Sequence, residues 1–116
     1  HIKGKQDKKR RELKQRYEME LEDRETAAEF RREMRDGMNK INQTLETLTD
    51  DIADLEYERL SQAYEYYMAQ GWCPGSKKEM LCQMHKSYRA KGRNHLSEHY
   101  EEEILRLDSK PRDQTT

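Results

Sequence analysis

Cysteine, proline, tryptophan and phenylalanine are all scarce in this chain of 116 residues, at two, two, one and one. Two cysteines, Cys73 and Cys82, are too few for the disulfide framework of a small secreted domain, and nothing resembles a secretory signal, so a reducing interior is expected. Apolar runs are short: none approaches the roughly 18 residues that would cross a bilayer. Hydrophobic residues make up 32% of the chain against 41% charged, a poor supply of core for one globule of this length. The chain has no phosphate-binding glycine loop, no glycine-rich oxyanion loop and no carboxylate pair distinct from ordinary helix-surface charge, so catalysis is not expected. Composition of this kind suits a long solvated helix or disorder.

What the chain does have is a stripe. Met34, Met38, Ile41, Leu45, Leu48, Ile52 and Leu55 are separated by steps of four, three, four, three, four and three. Such spacing puts all seven side chains on one narrow face of a helix, with Met38, Leu45 and Ile52 at heptad position a and Met34, Ile41, Leu48 and Leu55 at d. A face this narrow asks for a partner helix, whereas a helix of a globular bundle usually carries a wider one. The expectation is a coiled coil between copies. Its order is left between dimer and tetramer, because Leu at d favours two strands while Ile41 at d and Leu45 at a favour more. The flanking positions Gly37, Asn42, Thr44, Thr49, Asp51, Glu56 and Glu58 lack the alternating Glu/Lys pattern that would select a different partner.

Charges nearly cancel, giving a net charge of −1, but they are unevenly placed. The first sixteen residues contain Lys3, Lys5, Lys8, Lys9, Arg10, Arg11, Lys14 and Arg16 against Asp7 and Glu12. Lys8-Lys9-Arg10-Arg11 is the kind of cluster that follows a membrane helix on its cytoplasmic side. With His1 in place of an initiator Met, residues 1–12 are expected to be a juxtamembrane or disordered segment that continues from something upstream. From Leu13 to Glu33 the chain is rich in helix formers and lacks Pro and Gly, so residues 13–56 are expected as one charged helix bearing the seam. The helix as a whole is expected over about residues 10–70.

Beyond Leu55 the pattern broadens into an aromatic face of Tyr57, Leu60, Ala63, Tyr64 and Tyr67, and then breaks at Gly71-Trp72-Cys73-Pro74-Gly75. Gly71 stops a helix and Pro74 prevents its immediate continuation. Ser76 and Glu79 have the spacing of a capping box, opening a helix with Met80, Leu81, Met84 and Tyr88 on one face. Gly92 ends it, Asn94 is placed to cap the next, and Leu96, Tyr100, Ile104 and Leu107 follow at steps of four, four and three. Residues 57–108 are therefore expected as a small module of two short helices packed back on the aromatic end of the long one. Its core is assigned to Leu60, Tyr64, Tyr67, Trp72, Leu81, Met84, Tyr88, Leu96, Tyr100 and Ile104, and residues 109–116 are expected as a flexible tail. The fold class is all-α.

Tyr64, Tyr67, Gly71-Trp72-Cys73-Pro74, Lys78-Glu79, Tyr88, Ala90, Gly92, Asn94, Tyr100 and Leu105-Arg106-Leu107 before Pro111 carry a resemblance. Over residues 60–107 the chain resembles a group of small proteins encoded by bacteriophages and prophages of Gram-positive bacteria. It departs from them at Arg93, where relatives have a second Gly, and at Asp108-Ser109-Lys110, which separate the Leu from the Pro. The resemblance implies a phage-associated helical protein with a holin-like or minor-structural role, in the host-cell cytoplasm and anchored through residues upstream of His1. It brings no catalytic residue.

Four other chemistries are within reach of these residues. Cys73, Cys82, His85, His95 and His99 are zinc-type ligands, but the cysteines are not two to four residues apart, and no metal or other cofactor is expected. Cys82 with His85 one turn on could form a nucleophile and base only with a third group and a cleft. Nucleic-acid binding is the rival function: a basic start, and Lys77, Lys78, Lys86, Arg89, Lys91 and Arg93 around a helix-turn-helix-like pair. Glu98, Glu101, Glu102 and Glu103 on the second member would repel phosphates, which makes an assembly protein with an unknown protein partner the favoured expectation. Contact of the basic segment with an anionic membrane surface is the remaining one, at roughly 1 kcal/mol per lysine.

Overall fold

The computed structural model describes residues 2–112. It contains three helices, α1 (Ile2–Gln70), α2 (Gly75–Ala90) and α3 (Tyr100–Arg106), and no strand among the described residues. The architecture is all-α, a long helix followed by two short ones, as the periodicity predicts. The chain forms two compact units, His1–Thr44 and Leu45–Thr116.

The first unit is a single stretch of α1. It starts at Ile2, not near residue 10, so Lys8, Lys9, Arg10 and Arg11 are exposed positions on a helix and not a disordered lead-in. Side chains here pair along the helix, as Lys14 does with Glu18 at 4.0 Å. Exposed pairs of this type contribute little, about 0.3–0.5 kcal/mol.

The second unit holds the core. Ala53 and Leu60 from α1, Cys73 from the turn, Leu81 and Tyr88 from α2, and Tyr100 and Ile104 from α3 are buried together, with Ala63, Tyr64, Tyr67, Met68, Met84, Leu96 and Leu107 packed around them. The compact unit therefore begins before residue 57, since Ala53 is among its most buried members. Trp72, expected inside, is only half-buried and stands outside this cluster. Its place is taken by Cys73, whose fully buried thiol is pushed above its usual pKa by loss of solvent.

The turn between α1 and α2 is built as the glycine and proline dictate. Gly71 has φ +86° and its N–H donates to the Tyr67 carbonyl at 2.8 Å, the left-handed stop that a side chain would strain. Gln70 then caps locally by donating to the Trp72 carbonyl at 2.7 Å. Cys73 N–H donates to the Asp108 carbonyl at 2.8 Å, which ties the end of the module to this turn.

Two expected caps do not form. Pro74 is the N-cap of α2, no side chain caps it, and Lys77 and Lys78 N–H both bond the Pro74 carbonyl instead. Ser76 and Glu79 are exposed positions inside the helix, because the helix begins at Gly75, one residue before the serine that should have capped it. Asn94 is likewise no cap: α3 starts only at Tyr100, preceded by His99, and the residues from 91 to 99 form a loop after Gly92 at φ +79°. Leu96 thus packs from a loop. The three glutamates Glu101, Glu102 and Glu103 lie in the first turn of α3, where the helix dipole favours negative charge. The expected tail falls partly on residues 113–116, which lie outside the described residues. Before them Ser109 accepts from Lys78 and Arg112 pairs with Asp108 at 3.3 Å.

Candidate assembly interface

All seven seam residues lie on α1, and all are exposed, from 47% for Ile52 to 66% for Leu55. Their exposure has a geometric cause within the second unit. At about 100° of rotation per residue, the face carrying Ala53, Tyr57, Leu60 and Tyr64 is roughly 130° around the helix from Leu48, Ile52 and Leu55. The module covers the first face and leaves the second clear. Met34, Met38 and Ile41, in the first unit, are equally bare.

The flanks of the stripe make few polar demands. Thr44 donates its hydroxyl to the Lys40 carbonyl at 2.9 Å and Thr49 to the Leu45 carbonyl at 2.7 Å, so both hydroxyl donors are satisfied inside the helix. Gly37 has open space where a Cβ would be.

The covered face is held by ion pairs that spacing alone does not reveal. Lys91 Nζ reaches Glu56 Oε1 at 2.7 Å, and Arg93 reaches Asp50 at 2.9 Å and Asp54 at 3.8 Å. Arg93 is thus a fastener between the 91–99 loop and α1. The detectable signal was acidic residues at 50 and 54, one turn apart.

Two buried polar groups were also missed. Lys78 donates to the Leu105 carbonyl at 3.3 Å, to the Leu107 carbonyl and to Ser109 Oγ at 3.2 Å, closing the C-terminal end of α3. His85, 1% exposed, has Nδ1 2.8 Å from Glu101 Oε2 and its ring stacked 5.0 Å from Tyr100. A carboxylate only accepts, so Nδ1 carries the hydrogen; Nε2 is enclosed without a partner. An enclosed Nε2 cannot meet a substrate, and no hydrogen bond joins it to Cys82 among the described residues. Both the Cys82 thiol and Tyr100 are pushed above their usual pKa by burial first.

Elsewhere the surface is shallow. An open depression of about 310 Å³ is lined by Ser61, Tyr64, Glu65, His95, Leu96, Ser97, Tyr100 and Glu103. A hydrogen bond to Glu103 is the main cause that raises the Tyr64 pKa. Among the described residues, no three of His, Cys, Asp and Glu gather as metal ligands, and no helix is long and apolar enough to cross a membrane. The helix-turn-helix reading does not fit: nine residues, 91–99, separate α2 from a seven-residue α3, where that motif has a turn of about three or four. Lys78, Lys91 and Arg93, counted above as candidate phosphate contacts, are instead engaged within the module.

Comparison with protein-family models, with curated proteins and with solved structures returned no match for this chain.

Proposed function

We propose that this is a non-catalytic helical assembly protein whose copies join through the Met34–Leu55 seam while the folded module at residues 53–109 is presented to a further protein. The observation that carries the reading is that seven large apolar side chains at heptad spacing along α1 are each about half-exposed. Seven half-exposed large side chains on one face are a cost in water that a matching helix removes, at about 25 cal/mol per Å² covered. The resemblance over residues 60–107 supports a phage or prophage setting. The exposed basic positions of α1 support a site beside an anionic membrane surface.

Replacing Leu45 and Leu48 together with Asp tests the reading. Both residues are exposed in the single chain, so the module should keep its fold and its circular-dichroism melt while sedimentation changes from oligomer to monomer. An oligomer of unchanged mass would reject the seam.

A further inference from the structure

The two ends of the seam differ in charge, and this bears on direction. Residues 31–40 contain Arg31, Arg32, Arg35 and Lys40 against Glu33 and Asp36, whereas residues 50–59 contain Asp50, Asp51, Asp54, Glu56 and Glu58 against Arg59. Lys91 and Arg93 offset part of the second group, yet five acids against three bases still leave it negative. Resting on the self-association proposed above, we propose that the second copy docks antiparallel, with Met38 facing Leu55, Ile41 facing Ile52 and Leu45 facing Leu48.

In a parallel pair, position g of one helix meets position e of the next heptad of the other, which sets Asp51 against Glu56 twice, once on each side, with Lys91 beside Glu56 offsetting part of the repulsion. The positive stretch would lie against its own copy and the negative stretch against its own. Reversing one helix removes both conflicts. Position e then meets e, placing Arg35 beside Glu56 and Asn42 beside Thr49. Position g meets g, placing Gly37 beside Glu58 and Thr44 beside Asp51. No like-charged pair remains on either flank, and Arg35, whose side chain is exposed, meets Glu56, whose carboxylate also holds Lys91. Six of the seven apolar residues then pair a with d, and Met34 faces Arg59 at each end. The module sits on a different face of α1 from the seam, so neither direction is excluded by the module's own covering of residues 48–55.

Energy transfer between labelled chains decides the direction. Cys73 and Cys82 are buried, so dyes go to a thiol introduced at an exposed position, either Glu22→Cys or Glu65→Cys. Donor-labelled Glu22→Cys mixed with acceptor-labelled Glu65→Cys should transfer strongly, because antiparallel docking brings the two positions close. Donor and acceptor both on Glu22→Cys should transfer weakly, at about 70 Å along the pair. Strong transfer in the second mixture and weak transfer in the first, at dimer mass, overturns the antiparallel direction and leaves self-association standing. Strong transfer in both at higher mass overturns the single antiparallel pair. Monomer mass in sedimentation overturns the assembly reading itself.

Discussion

The seam and the module core are made of similar side chains and treat them oppositely. Leu48, Ile52 and Leu55 are half-exposed, whereas Leu60, less than two turns further along the same helix, is completely buried. Residue type therefore does not separate the two regions; the width of the apolar face does. Up to Leu55 the face is two residues in seven, and its side chains stay about half-exposed. Past Ala53 a second face opens, carrying Tyr57, Leu60 and Tyr64, and it can be covered from two sides by helices returning after Gly71. One pattern is covered within the chain, and the other is left half-exposed.

The sharpest way to break this contrast is a matched pair of truncations. Leu60→Ala should destabilise the module by about 2–5 kcal/mol, since it opens a cavity among Ala53, Tyr88, Tyr100 and Ile104. Leu48→Ala should leave the melt of a dilute monomer within about 0.5 kcal/mol and act only on the oligomer. Thermal unfolding followed by circular dichroism at low and high protein concentration measures both. Equal losses for the two at low concentration would mean that the seam is covered within one chain after all.

A second test sharpens the module's side of the comparison. Lys78→Met keeps the aliphatic stem but removes the ammonium that bonds the Leu105 and Leu107 carbonyls and Ser109. Leaving those carbonyls unpaired should cost about 1–3 kcal/mol in urea unfolding. The α3 amides should also lose hydrogen-exchange protection before those of α2 do.

Alkaline pH should act on the module and not on the seam. Burial raises the pKa of Tyr100 above its usual 10.0, as it raises Cys73 and Cys82 above 9.0. An acid whose folded pKa is raised stays protonated in the native state after the unfolded chain has ionised, so the unfolded state binds fewer protons and stability falls as pH rises. The contribution is complete below the unfolded values and is lost progressively above about pH 9–10. Tyr100→Phe should flatten that decline while costing about 1 kcal/mol at neutral pH, through the lost bond from its hydroxyl to the Leu60 carbonyl. A decline of equal slope in the variant would assign the effect elsewhere.

What could be read from the sequence follows the range of the interactions. Heptad spacing and the glycine stops are local, so α1, the break at Gly71 and the end of α2 at Gly92 were all legible. Leu60, Leu81, Tyr88, Tyr100 and Ile104 were legible as core because their spacing is helical and their side chains have no other use. Lys78 and His85 were not, because their partners lie 27–31 and 16 residues away, and in the case of Lys78 most of them are backbone carbonyls that no residue type advertises. Arg93 was obscured for a related reason, its acidic partners being 43 residues back or nearly so. The heptad spacing that marks the seam is local and carries no information on the direction of a docked helix.

The smallest expected effect concerns the caps, where a local pattern pointed the wrong way. Ser76-Lys77-Lys78-Glu79 has the spacing of a capping box, and a capping serine is worth about 0.5–2 kcal/mol. In the fold the helix starts two residues earlier than that box would place it, and the Pro74 carbonyl, not a serine hydroxyl, takes the N–H groups of Lys77 and Lys78. Proline can be the N-cap because its fixed φ of −56° and extended ψ of 144° suit the last non-helical residue, and its missing N–H is not needed there. Ser76→Ala should therefore change stability by less than about 0.5 kcal/mol, and the exchange of a poor helix former for a good one makes a slight gain the expected sign. A loss above about 1 kcal/mol in chemical denaturation would restore the capping box and move the start of α2 to Lys77.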